Sequence, residues 1–93
     1  MREKDIEQKL IREVKSRGGL CLKWVSPGFD GVPDRIVLLP GRRIGFVEVK
    51  APGEKPRPLQ VSRHRLFEKL GFRTHILDGE EQIGGILDEI QAT

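Results

Sequence analysis

Apolar residues recur at helical spacing near the start of the chain, where Ile6, Leu10 and Val14 line up and Ile11 widens the stripe. Lys15 and Arg17, followed by Gly18-Gly19, predict that this helix, residues 3 to 17, stops there. The period then changes. LCLKWV (20–25) has strand character, and SPGFDGVP is a turn-rich loop. DRIVLL (34–39) and RIGFVEVK (43–50) flank the tight-turn string PGRR, which predicts a hairpin. APGEKPRP holds too much proline for regular structure. Residues 58 to 70 form a second helical pattern, with Leu59, Leu66, Phe67 and Leu70 on one side and Gly71 behind them. FRTHIL predicts a fourth strand. Asp78 with Glu81 resembles a capping box opening a last helix that carries Ile83, Ile86, Leu87 and Ile90. The order is αβββαβα. A three-strand meander with a helix-linked fourth strand predicts an α/β fold, a mixed four-stranded sheet flanked by helices, in one domain over 1–93.

A few charges interrupt this pattern. Asp34 opens one apolar run, Glu48 lies inside the next, and Lys50 follows two positions later. An unpaired buried charge costs several kcal/mol, on the order of the desolvation penalty, so these groups need partners or a metal. Alternate strand residues share a face, so Glu48 and Lys50 point one way and Val47 and Val49 the other. The hairpin can bring Asp34 alongside them, while Arg35 should face oppositely. On the first helix Glu7 falls inside the apolar arc. It could lie against the same sheet or curl out to solvent. Glu3 shares that face, but in a first turn that could fray.

Three carboxylates and a lysine suit a hard cation such as Mg²⁺ or Mn²⁺, which binds through a few carboxylates and keeps waters for a phosphate substrate. A zinc cluster is excluded by one Cys and two His. Neither a P-loop pattern nor a serine in a nucleophile elbow is present. The chemistry these residues point to is metal-assisted hydrolysis of a phosphodiester, with the metal polarising the phosphate and acidifying a water and Lys50 positioning that water or stabilising charge.

Pro33-Asp34 followed by Glu48-Val49-Lys50 resembles the PD-(D/E)XK nuclease pattern. With Glu7 on the first helix, Gly31-Val32 before the Pro-Asp pair and Gln60 opening the next helix, the chain resembles the VRR-NUC family from Glu7 to about Leu77. The resemblance implies a restriction-endonuclease-like core. It implies that Asp34 and Glu48 bind metal, that Glu7 reaches it directly or through water, and that Val49 offers its backbone carbonyl. Lys50 matches the catalytic lysine, and Gln60 the motif glutamine that holds Lys50 or the phosphate. The family's tryptophan shortly after that glutamine has no counterpart in QVSRHRLF. The minimal members that this chain resembles act as homodimers on branched DNA such as four-way (Holliday) junctions, in repair, recombination and replication. Two equivalent strands at such a junction also favour a two-fold dimer.

The net charge of +3 hides an uneven distribution. Residues 50 to 75 hold seven Lys/Arg against two Glu, and residues 76 to 93 hold five acids and no Lys or Arg. Both stretches could be solvated helix faces. Beside the nuclease motif, Lys55, Arg57, Arg63 and Arg65 become a phosphate track, and Lys23 and Ser26 could touch phosphate from the other side. His64 could act as a general acid or base but has no partner at a convincing spacing. His75 fits a satisfied structural residue, Trp24 a core residue or a platform on which a base stacks, and Cys21 a buried inert thiol. The polar N-terminus lacks a signal-peptide core, which gives a cytoplasmic setting as the expectation, and the resemblance to minimal members implies a bacterial or phage-infected cell. Two alternatives stand beside the enzyme: a DNA-binding module that has lost catalysis, and a small structural domain with coincidental motifs. A nuclease acting on flaps or other DNA structures is a variant of the first reading.

Overall fold

The computed structural model describes residues 1–93. Helix α1 (Glu3–Ser16) leads into β1 (Leu20–Lys23), β2 (Arg35–Leu39) and β3 (Arg43–Val49); α2 (Pro58–Lys69) then connects to β4 (Arg73–Leu77), and a 3₁₀ turn (Glu80–Gln82) precedes α3 (Ile83–Gln91). The sheet order is β1-β2-β3-β4. The first three strands are antiparallel neighbours, and β4 returns parallel to β3 through α2. This is the mixed sheet and element order that the sequence predicts.

The two faces of the sheet bury different chemistry. On one, Val37, Leu39, Val47, Val49 and Leu77 meet Ile6, Leu10 and Val14 of α1 and Ile83, Ile86, Leu87 and Ile90 of α3, forming the main core. Each large aliphatic side chain buried there is worth roughly 1.5–3 kcal/mol relative to exposure. Gly45 lets α3 approach closely, since a Cβ on it would fall 2.6 Å from the Ile90 side chain. Ion pairs close the same layer. Lys9 reaches Glu80 at 3.2 Å and Arg17 reaches Asp88 at 2.8 Å, so part of the acidic C-terminal stretch is matched by α1.

The other face carries an aromatic layer under α2. Phe46 stands 5.0 Å from Trp24 and 5.4 Å from Phe67 between ring centroids, and Phe72 completes the group. Trp24 thus packs as expected, with its ring also 5.3 Å from that of Phe67 on α2.

Two expectations are corrected here. The buried residues of α2 are Gln60 and His64, while Leu59, Leu66 and Leu70 are exposed. The helix is turned to serve a buried carboxylate beneath it rather than to hide its leucines. At the start of the last helical segment, the partner of Asp78 is Gln82, not Glu81. Gln82 accepts the Asp78 N–H at 3.0 Å and donates to its carboxylate at 2.8 Å.

Candidate active site

The site lies where β2 begins and β3 ends. Pairing of Arg35 with Val47 brings the residue before β2 level with Glu48. Asp34 is held there by its own carboxylate, whose Oδ2 accepts the Val49 N–H at 2.9 Å. Val49 meanwhile buries its side chain in the opposite layer. Burial, above all, pushes the Asp34 carboxyl up to about 6. The Val49 hydrogen bond opposes that rise; the charge of Glu48 adds to it.

Glu48 is 1% exposed, the most deeply buried charged side chain of the protein. Its Oε2 accepts from Gln60 Nε2 at 2.8 Å and lies 3.5 Å from Lys50 Nζ. Gln60 has no freedom to turn its amide. Its Oε1 accepts the Arg57 N–H at 2.8 Å at the start of α2, so its NH₂ must face Glu48. The other oxygen, Glu48 Oε1, has no hydrogen-bond partner. The same is true of His64 Nε2, which faces it at 3.8 Å. His64 follows Gln60 by one helical turn, so α2 presents two polar groups to the two oxygens of one carboxylate. Gln60, His64 and Phe67 align at i, i+4, i+7, so the sequence already places Gln60 at the border of the apolar face; the buried partner of that row lies on another element.

Glu7 is not brought to this pair. Its Oε2 receives Arg35 Nε at 2.8 Å on the α1 side of the sheet, and Arg35 also donates to the Cys21 carbonyl. Arg35 faces away from Asp34, as expected, and takes the helix glutamate with it. The helix carboxylate whose charge acts on Asp34 is instead Glu3, in the first turn. No three acid, His or Cys side chains stand together as a ready metal cluster. The donors near one point are the Asp34 and Glu48 carboxylates, with the Val49 backbone beside them.

A cleft of about 360 Å³ opens next to Asp34, with Ser26, Arg57 and Gln60 in its wall. Lys23, exposed at the end of β1, lies outside that wall. Lys23, Lys55, Arg57, Arg63 and Arg65 form no ion pair, in contrast to the basic residues of α1 that meet the acidic tail. Elsewhere, burial pushes the Cys21 thiol up to about 11, which makes it inert. His75 is less settled than expected. Burial holds its pKa below the usual value, and its Nε2 has no partner, though Nδ1 lies 3.7 Å from Glu89.

No family model matches the chain. A protein named "Putative nuclease p44", from Acyrthosiphon pisum secondary endosymbiont phage 1, is 49% identical over 81 residues, covering 87% of each sequence. A solved structure described as a VRR_NUC domain superposes with a TM-score of 0.87 at 29% identity, over 95% of this chain and 97% of that one. Fold and relatives together define a nuclease-type domain of the PD-(D/E)XK class. Within that class, the chain belongs to the VRR-NUC family.

Proposed function

We propose that the protein is a Mg²⁺- or Mn²⁺-dependent endonuclease that hydrolyses DNA phosphodiester bonds in branched DNA such as four-way junctions. The observation that carries this reading is the buried Glu48, with one oxygen clamped by Gln60 and the other unpartnered, beside an Asp34 that desolvation leaves reluctant to ionise. A buried acceptor without a donor, next to a second carboxylate, fits a hard cation better than it fits structure alone. When bound, such a cation polarises a phosphate and lowers the pKa of a water.

Asp34 and Glu48 would hold the cation, with the Val49 carbonyl as a third oxygen. Gln60 fixes the Glu48 carboxylate in one orientation. Lys50, anchored through its N–H to the Leu77 carbonyl at 2.9 Å, offers its ammonium to the attacking water or to the charge that grows on the phosphate. Arg57, Arg63 and Arg65 extend positive charge along α2 for the flanking backbone. Exposed Leu66 and Leu70, one turn apart, offer apolar area for the homodimer that a two-fold junction favours. The proposed setting is the cytoplasm of a bacterial or phage-infected cell. No helix is long and apolar enough to cross a membrane.

The test compares labelled four-way junction, flap, nicked and linear duplex DNA with Mg²⁺, Mn²⁺ or EDTA. Metal-dependent cutting that favours the junction is expected. Binding without cutting in any metal would give the binding-module reading instead. Affinity should also fall steeply with salt, about ten-fold or more between 50 and 200 mM if several phosphates are contacted. Combined Arg57→Ala, Arg63→Ala and Arg65→Ala changes should flatten that slope, and an unchanged slope would remove the α2 track.

His64 gives a second check on the same site. His64→Leu should weaken Mn²⁺ binding roughly ten-fold, as loss of a group behind a metal ligand commonly does. His64→Gln, which keeps a donor, should recover part of it. Calorimetry reads this without any cleavage, and equal Mn²⁺ affinity in all three proteins would make His64 a packing residue only.

A further inference from the structure

The cleft beside Asp34 is larger than a cation and a phosphate group require. Its volume of about 360 Å³ falls at the small-ligand end of binding pockets, which is room for one nucleotide and not for a stretch of duplex. Its wall includes Asp34, Gln60, Arg57, Ser26, Asp30 and Phe29.

One part of that wall is an aromatic ring. Phe29 is 37% exposed in a loop, where an apolar ring gains nothing from solvent. The Arg63 guanidinium covers one side of it, with Cζ 3.9 Å from the ring centroid. Arg63 is itself fixed, because its Nε donates to the Asp30 carbonyl at 2.7 Å. Gly31 makes that docking possible. Its φ is +87°, and a Cβ there would fall 2.9 Å from Leu59 and 3.1 Å from Arg63. The loop is thereby seated on α2, and the ring is held in place before any ligand arrives.

The lining offers groups for each part of a nucleotide. Arg57 favours phosphate. Asp30, next to Phe29 in the chain, disfavours phosphate, and a carboxylate can accept a hydrogen bond from the amino group of a base. Base stacking on an aromatic side chain tolerates any sequence. A base that is paired and stacked in a duplex cannot enter without leaving the helix.

We propose that this cleft receives one unpaired nucleotide next to the scissile phosphate, with its base stacked on Phe29. The proposal rests on the nuclease reading and adds to it a preference that a fully paired four-way junction does not itself supply: a nucleotide already free of its partner, as at a flap or an opened branch point.

The experiment measures binding of the full protein, in Ca²⁺ to suppress cutting, to two duplexes of one sequence that differ by a single unpaired nucleotide. The parent should favour the unpaired site about ten-fold, the size expected of one base–aromatic stack. Phe29→Leu keeps apolar volume but loses the stacking face, and should bring the ratio close to one. Phe29→Trp should hold the ratio at or above that of the parent. A parent ratio of one, or a ratio that Phe29→Leu leaves intact, overturns the proposal. A Trp variant whose ratio falls to one also overturns it. If the parent binds neither duplex the cleft assignment fails, and if it also fails to bind a four-way junction in the same buffer the nuclease reading fails with it. If it binds both equally and cuts them in Mg²⁺, only the cleft assignment fails.

Discussion

Lys50→Ala should yield a folded protein that binds DNA and metal but cuts about 10²–10³-fold more slowly, the usual cost of removing one charge-stabilising donor from an active site. The separation of binding from cutting follows from where Lys50 sits. Its backbone belongs to the sheet, through the bond from its N–H to the Leu77 carbonyl, and alanine preserves that. Its side chain is 15% exposed, and the ammonium lies 3.5 Å from Glu48 Oε2, where it competes with a cation for the same carboxylate. Removing it should therefore leave divalent affinity equal or slightly higher. Asp34→Ala should instead lose metal binding and cutting together. Single-turnover cleavage of a labelled junction, beside calorimetry with Mn²⁺, separates the two effects. A Lys50→Ala protein that cuts as fast as the parent would remove the lysine from the site, and Asp34→Ala with undiminished activity would remove the site altogether.

The hairpin was legible because its signals are local. Alternation places Glu48 and Lys50 together, and the turn at PGRR brings Asp34 back beside them. The main core was legible for the same reason, since the stripe of Ile6, Leu10 and Val14 is the buried one. Helix α2 was not. Periodicity says which residues share a face but not which face turns inward. Here Gln60 goes under to donate to the buried Glu48, and His64, one turn on, is buried on the same face. Glu7 is a different case. Its place in the apolar arc correctly implied a partner, but the partner was Arg35, a residue on the other face of the strand that carries the site. A pairing between a helix and a strand far apart in sequence leaves no trace in spacing. The cleft, likewise, forms between a loop and a helix that no local pattern joins.

Metal should change this protein's stability more than protonation of Asp34 does. Burial and the charge of Glu48 hold the Asp34 carboxyl at about 6, above its ordinary value of 3.8. A carboxyl raised in this way favours the folded state when protonated. Its contribution is fully present below pH 3.8 and is lost as pH rises through 6. In metal-free buffer the melting temperature should therefore rise as pH falls from 7.5 to 5, by the equivalent of about 1 kcal/mol or less once solvent screening of this half-buried group is allowed for. Asp34→Asn should remove that rise and should itself be more stable than the parent at pH 7.5 without metal. A divalent cation relieves the same strain by binding only the folded, ionised site. At a concentration 100-fold above its dissociation constant it adds about 2.7 kcal/mol, which in a domain of this size corresponds to roughly 10–20 °C. The gain should be largest above pH 6, where the cation no longer competes with a proton on Asp34, and should vanish in Asp34→Asn. Thermal melts across pH with EDTA, Mg²⁺ or Mn²⁺ measure all of this. A melting temperature indifferent to both ions at pH 7.5 would leave the carboxylate pair without its cation. A pH response that Asp34→Asn retains would move the titrating group elsewhere.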